Sequence, residues 1–141
     1  MRTITNISLW IVRISGTLQL LLGALFWTGH GYQYLPVHII NGFVIVLTLW
    51  TVAVLALVRR THRGLAAFGF AWGLALPAFG LVQAAILDGS LHWIVRVFHL
   101  AMGLAAMAIA GTLGQTVLAT LPASARQSEG AVSAVVGGRA P

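Results

Sequence analysis

Residues 36–58 read PVHIINGFVIVLTLWTVAVLALV, an unbroken stretch with no formally charged side chain. A helix rises about 1.5 Å per residue, so a segment of this length crosses the roughly 30 Å of hydrocarbon in a bilayer. Three further stretches meet the same requirement, at 7–28, 64–87 and 91–121. The expected fold is therefore all-α: an integral-membrane four-helix up-down bundle over residues 1–121. The fourth stretch is longer than a bilayer needs, which predicts tilt or an exit from the membrane before Pro122. Residues 122–141 shift to Ala, Ser, Gly and isolated charges, a composition that buries no core and reads as a disordered cytoplasmic tail.

Composition leads to the same place. The chain has 141 residues, 59% hydrophobic and only 7% charged, where a soluble domain carries about a quarter charged residues. Lipid must take the place of the missing polar surface. Cysteine is absent, which excludes disulfide frameworks, iron–sulfur clusters, thiolate metal sites and c-type haem attachment. The formal charge is +6, all eight basic residues being arginine. They form neither a run nor a stripe on one amphipathic helix, so nucleic acid is not an expected partner. There is no phosphate loop and no Ser/His/Asp arrangement. Asp88 is the one acid outside the tail, so hydrolysis by general acid–base catalysis lacks its raw material.

The arginines read instead as topology signals. If the helices alternate, Arg2, Arg59, Arg60, Arg63, Arg126 and Arg139 fall on one side, which the positive-inside rule makes cytoplasmic. Both termini are then cytoplasmic, in a multi-pass protein of the inner (plasma) membrane. Arg13 and the lack of an A-x-A-like site after residues 25–29 make the first span a retained helix rather than a cleaved signal peptide. Trp27, Tyr32, Tyr34 and Trp93 gather at the outer interface, where amphipathic rings are favoured.

The halves of the chain echo each other. Gly16 and Gly23 match Gly73 and Gly80 at the same spacing of seven, and His38 and Gly42 match His99 and Gly103 at a spacing of four. Two repeated hairpins would be related by a pseudo-twofold along the membrane normal.

Ionisable and amide side chains within a membrane are costly unless paired or ligating, which makes them functional candidates. Here they are Arg13, Gln19, His38, Asn41, Gln83, Arg96 and His99. Both deep histidines begin the pattern His-x-x-x-Gly. Positions i and i+4 share a helix face, so Gly42 and Gly103 leave notches where a large flat ring could approach the backbone. The second and fourth helices of an up-down bundle are diagonal neighbours, which aims His38 and His99 at each other. Facing imidazoles of this kind are what six-coordinate haem requires.

In these two units and their placement the four-span core resembles the bis-histidine membrane b-type cytochromes. The resemblance implies one haem b with His38 and His99 as axial ligands. Two-haem members of that class have four deep histidines, and only two are present here. Arg96, one turn outward from His99 on the same face, would meet a propionate. His92 would contact the other, helped by Tyr32, Gln33 or Tyr34. Depth is the difficulty: a second helix starting at Pro36 would set the histidines roughly 9 Å apart along the membrane normal, whereas a start near Tyr32 reduces this to about 3 Å.

Several rival readings compete. The histidines could be interhelical hydrogen-bonding residues with Asn41, Gln19 or Gln83 as partners. The iron could take another pair drawn from His30, His38, His92 and His99. Arg96 could snorkel or pair with Asp88. His38, His99 and Met102 could bind copper. Gly69-x-x-x-Gly73 could serve close packing within the bundle or against a partner subunit. The leading expectation is electron transfer between the quinone pool or a larger membrane complex and an extracytoplasmic partner. The alternatives are a non-redox accessory or assembly subunit and a small metal or solute transporter; the partners open to the chain are the subunits of a larger membrane complex or a second copy in a homodimer.

Overall fold

The structure is a computed structural model that describes residues 1–87 and 89–122. It contains helices α1 (Arg2–Trp27), α2 (Leu35–Val58), α3 (Arg63–Val82) and α4 (His92–Ala119), with single 3₁₀ turns at Tyr32–Tyr34, Gln83–Ala85 and Gly89–Leu91. No strand occurs among the described residues. All four helices are long and apolar enough to cross a membrane. The chain is a multi-pass membrane protein with a four-helix bundle fold.

Helix ends depart from the hydropathy boundaries for local reasons. α1 starts at Arg2, five residues before the apolar stretch, and the fully buried Thr5 closes its first turn by donating its hydroxyl to the Met1 carbonyl at 3.0 Å. Backbone hydrogen bonding sets where a helix begins; hydropathy reports only where lipid begins. α3 stops at Val82 rather than 87, because the chain becomes extended at Ile86 and left-handed at Leu87. α2 proper starts at Leu35, with Pro36 in the first turn, where its missing N–H costs nothing. The expected earlier start near Tyr32 is present as the 3₁₀ turn that leads into it. Of the proposed tail, only Pro122 lies within the described residues.

Two hairpin turns use one device. After α1, Gly29 adopts a left-handed φ of 80°, its N–H bonds the Phe26 carbonyl, and His30 N–H reaches back to Leu25. This six-to-one pairing satisfies carbonyls that the helix end would leave orphaned. After α2 the same pattern runs Arg60 to Leu57 and Thr61 to Ala56, with Arg60 at φ 57°. A non-glycine residue in that conformation costs roughly 1 kcal/mol. Arg59 at this turn donates to the Thr120 carbonyl at 2.7 Å, capping α4 and tying the arginine-bearing ends of α2 and α4 together.

α2 and α4 pack against each other and against both remaining helices, while α1 and α3 occupy the outer corners. The cross-section is thus a rhombus whose short diagonal joins α2 to α4. Large apolar side chains point outward, Trp10, Ile14, Leu21, Ile40 and Leu81 each being more than 60% exposed. They form the lipid-facing surface. Lipid is as apolar as leucine, so the helices must associate through close packing, which small residues permit. Ala53, Ala56, Ala66, Ala106 and Ala110 are fully buried, along with Leu49, Val52, Leu113 and Val117. All of these lie toward the Arg59 end.

Gly69 sits against Leu49 and Ile109, and Gly73 against the Trp50 indole, whose Nε1 donates to the Phe70 carbonyl at 3.4 Å. The small-residue motif of α3 is therefore used inside the bundle. The opposite half is hollow: α3 buries nothing beyond Leu76.

The offsets of the sequence repeat reappear in the packing. In the first hairpin Asn41 Nδ2 donates to the Ser15 carbonyl at 2.8 Å; in the second Trp72 Nε1 donates to the Met102 carbonyl at 3.0 Å. Ser15 and Trp72 stand 57 positions apart, as Gly16 and Gly73 do, and Asn41 and Met102 stand 61 apart, as His38 and His99 do.

Candidate functional site

His38 is the fourth residue of α2 and His99 the eighth of α4. α4 begins about one turn farther out, which cancels the difference in register. The two rings meet across the short diagonal with centres 6.3 Å apart and planes inclined by 44°. Each is held from the side by an aromatic of the preceding helix. Phe26 meets His38 edge-on at 5.2 Å, and Phe79 stacks on His99 at 5.9 Å.

The hydrogen bonding around this pair bears directly on the interhelical-partner reading. Nδ1 of both rings is buried without a partner. The amides that could have served are engaged elsewhere. Gln19 Nε2 donates to the backbone carbonyl of His38 at 3.0 Å, not to its ring, and Asn41 Nδ2 donates to Gln19 Oε1 and to the Ser15 carbonyl, both at 2.8 Å. A buried polar group left unsatisfied costs about 1–3 kcal/mol.

Space adjoins the pair on both sides. An inner cavity of about 320 Å³ is lined by Gly16, Leu76, Pro77, Gly80, Gly103 and Met107 beside the two histidines. An outer cavity of about 410 Å³ runs from the same histidines to Gly23, Trp27, Tyr32, His92 and Arg96. Gln19, Leu20, Gln83 and Leu100 line both. The two spaces meet at the imidazoles.

The two glycine notches are unequal. A Cβ on Gly103 would meet nothing within 4 Å, whereas one on Gly42 would stand 3.3 Å from Gln19 Nε2. Both glycines line the inner cavity; Gly103 is open to it, and Gly42 is narrowed by the Gln19 amide.

Arg96 and His92 both line the outer cavity. His92 donates from Nδ1 to the Ile86 carbonyl at 3.2 Å, which fixes its tautomer and leaves Nε2 available. Asp88, the rival partner of Arg96, lies outside the described residues. The structure does not bring Tyr34 to the site: it is exposed and lines neither cavity. Tyr32 is exposed as well, but it stacks on Phe26 at 5.9 Å and lines the outer cavity, which Tyr34 does not. Gln33 lines neither cavity, and His30 and His62 are exposed.

Met102 is buried in the core and lines neither cavity, which removes the thioether from the copper reading. Met107 instead forms part of the inner floor, in the space that a side chain on Gly16 would take. Among the described residues no three or more of His, Cys, Asp and Glu come together.

Gly80, Phe26 and Phe79 were not singled out in the sequence as parts of the site. A Cβ on Gly80 would lie 3.2 Å from His99 Cε1, so this glycine makes room for the imidazole itself. Its one signal was the shared spacing of the glycines at 16 and 23 with those at 73 and 80.

Comparison with family models, with curated proteins and with solved structures gives no match. Site geometry must carry the functional argument alone.

Proposed function

We propose that this protein is a membrane b-type cytochrome that holds one haem b between His38 and His99. The observation that carries the reading is the facing pair of imidazoles, ring centres 6.3 Å apart, whose buried Nδ1 atoms have no protein partner. A metal–imidazole bond is about 2 Å long, so two rings at this separation could share one iron. Gly103 supports the reading by leaving room beside the ring pair. Arg96, His92 and Tyr32 suit the propionate end at the outer cavity, and the apolar lining around Leu76 and Met107 suits the hydrocarbon edge.

Bound haem would supply one-electron transfer between its ferric and ferrous states. The chain's own residues do the rest. His38 and His99 would hold the group, Arg96 would balance its carboxylate charge in a low-dielectric setting, and Phe26 and Phe79 brace the imidazoles.

Arg2, Arg59, Arg60 and Arg63 all sit at the densely packed end, which the positive-inside rule assigns to the cytoplasm of an inner (plasma) membrane protein. The site then occupies the outer half, suited to passing electrons between the quinone pool or a larger membrane complex and an extracytoplasmic partner.

An absorption spectrum tests this. Protein purified after haem-replete expression should show a Soret band and a reduced-minus-oxidised α-band of the b type, lost in His38→Ala and in His99→Ala. No Soret absorbance in the wild type overturns the proposal and leaves a non-redox accessory or assembly subunit.

A further inference from the structure

The pseudo-repeat places His38 and His99 at equivalent positions, yet their backbones are held differently. At His38 the peptide carbonyl accepts the Gln19 amide at 3.0 Å. Gln19 is itself oriented, because Asn41 Nδ2 donates to its Oε1 at 2.8 Å and so turns its Nε2 toward α2. Asn41, 9% exposed, is anchored by its second bond to the Ser15 carbonyl. Gly42 completes the arrangement, since a Cβ there would crowd Gln19 Nε2 at 3.3 Å.

At the equivalent positions of the second hairpin Leu76 stands for Gln19 and Met102 for Asn41, neither of which can donate from its side chain. The cross-helix bond there ends on the Met102 carbonyl, three residues beyond His99. His99 is kept in place by packing against Phe79 and Gly80, and the notch at Gly103 beside it is empty of neighbours.

From this asymmetry we infer that Gln19, oriented by Asn41, is a positioning residue that makes the pair unequal: His38 is carried on an anchored stretch of backbone and His99 on an adjustable one. In the bilayer interior neither amide has water to turn to, so the Ser15–Asn41–Gln19 chain holds its geometry. Neither ring carries a hydrogen bond of its own, so the difference lies in the backbone: α2 cannot shift at His38 without breaking the Gln19 bond, whereas no cross-helix bond ends on the His99 carbonyl. The inference deepens the haem reading and rests on it for its optical consequence, but not for its conformational one.

The test has two arms. In apoprotein carrying ¹³C,¹⁵N-labelled histidine in detergent micelles, His38 should give one sharp set of ring signals and His99 a broadened set. Gln19→Met, which keeps length and volume but removes the donor, should broaden His38. Equal line widths for both rings in the wild type, or an unchanged His38 in Gln19→Met, overturn the inference.

In haem-loaded protein, carbon monoxide is the probe. The reduced wild type should bind it weakly, and in Gln19→Met its binding constant should rise about tenfold, the scale of one lost hydrogen bond. An unchanged constant in a normally loaded variant counts against the inference. Failure of the wild type to load haem overturns the proposed function while the magnetic-resonance arm still decides the asymmetry. If Gln19→Met does not fold, Gly42→Ala, which presses on the same amide, should give the same two responses, and its failure to do so is equally fatal.

Discussion

Replacing Gly103 with leucine separates occupancy of the site from stability of the fold. Nothing stands within 4 Å of the position its Cβ would take, and the position lines the inner cavity, so a longer side chain there should fill that space. The variant should keep wild-type helicity by circular dichroism and lose the Soret band; a normally loaded variant would show that no flat ring uses the notch. Arg96 bears on the outer end of the same space. Arg96→Leu should leave the b-type spectrum in place and raise the rate of haem loss to a scavenger about tenfold or more, the effect of losing one charge-assisted hydrogen bond. An unaltered rate would return Arg96 to a headgroup-snorkelling role. At this scale His38, His99, Arg96 and His92 were legible because ionisable groups are rare in a membrane span. Gly80 was not, since its task is set by a side chain on another helix; Gln19 stood out as an amide within a span, but not the backbone carbonyl it bonds.

Helices α2 and α3 meet where Gly73 backs onto the Trp50 indole. A leucine at position 73 cannot fit there, so Gly73→Leu should destabilise the bundle by about 1–3 kcal/mol, the usual range for overpacking. Thermal or denaturant unfolding in detergent measures this, and a variant as stable as wild type would mean the interface is looser than the contact implies. The helix count and approximate spans could be read from residues 36–58 and the three stretches like it, because bilayer thickness dictates the length of an apolar run. Helix ends could not. The early start of α1 depends on Thr5 bonding Met1, and the choice of Tyr32 rather than Tyr34 for the outer cavity depends on its stack against Phe26.

Across the whole molecule, packing density is polarised. Fully buried residues gather at the arginine-bearing end, and the cavities gather at the other. Amide exchange should accordingly be slowest around Leu49–Ala56 and Ala106–Val117 and faster in α3 beyond Leu76. Haem loading should slow exchange in the hollow half and raise the unfolding midpoint, because a ligand that binds only the folded state at 100 times its Kd adds about 2.7 kcal/mol. Loading without any rise would place haem on the surface instead. Orientation has its own test: single cysteines at Ser90 and at Thr61 should react with an impermeant thiol reagent from opposite faces of intact cells and inverted vesicles. Reaction from the same face would break the up-down alternation.

By itself the sequence determined that this chain crosses a membrane four times, which histidines lie within it, and that two halves share a glycine and histidine pattern. Those properties follow from hydropathy and spacing, which are local. Only the tertiary structure decided that His38 and His99 stand at one depth, that the neighbouring amides bond to backbone and to each other rather than to the rings, and that one glycine notch is open while the other is narrowed by Gln19. Each of these depends on the relative rotation and offset of α1, α2 and α4. In lipid, rotation and offset are set by van der Waals fit between helix faces rather than by hydrophobicity.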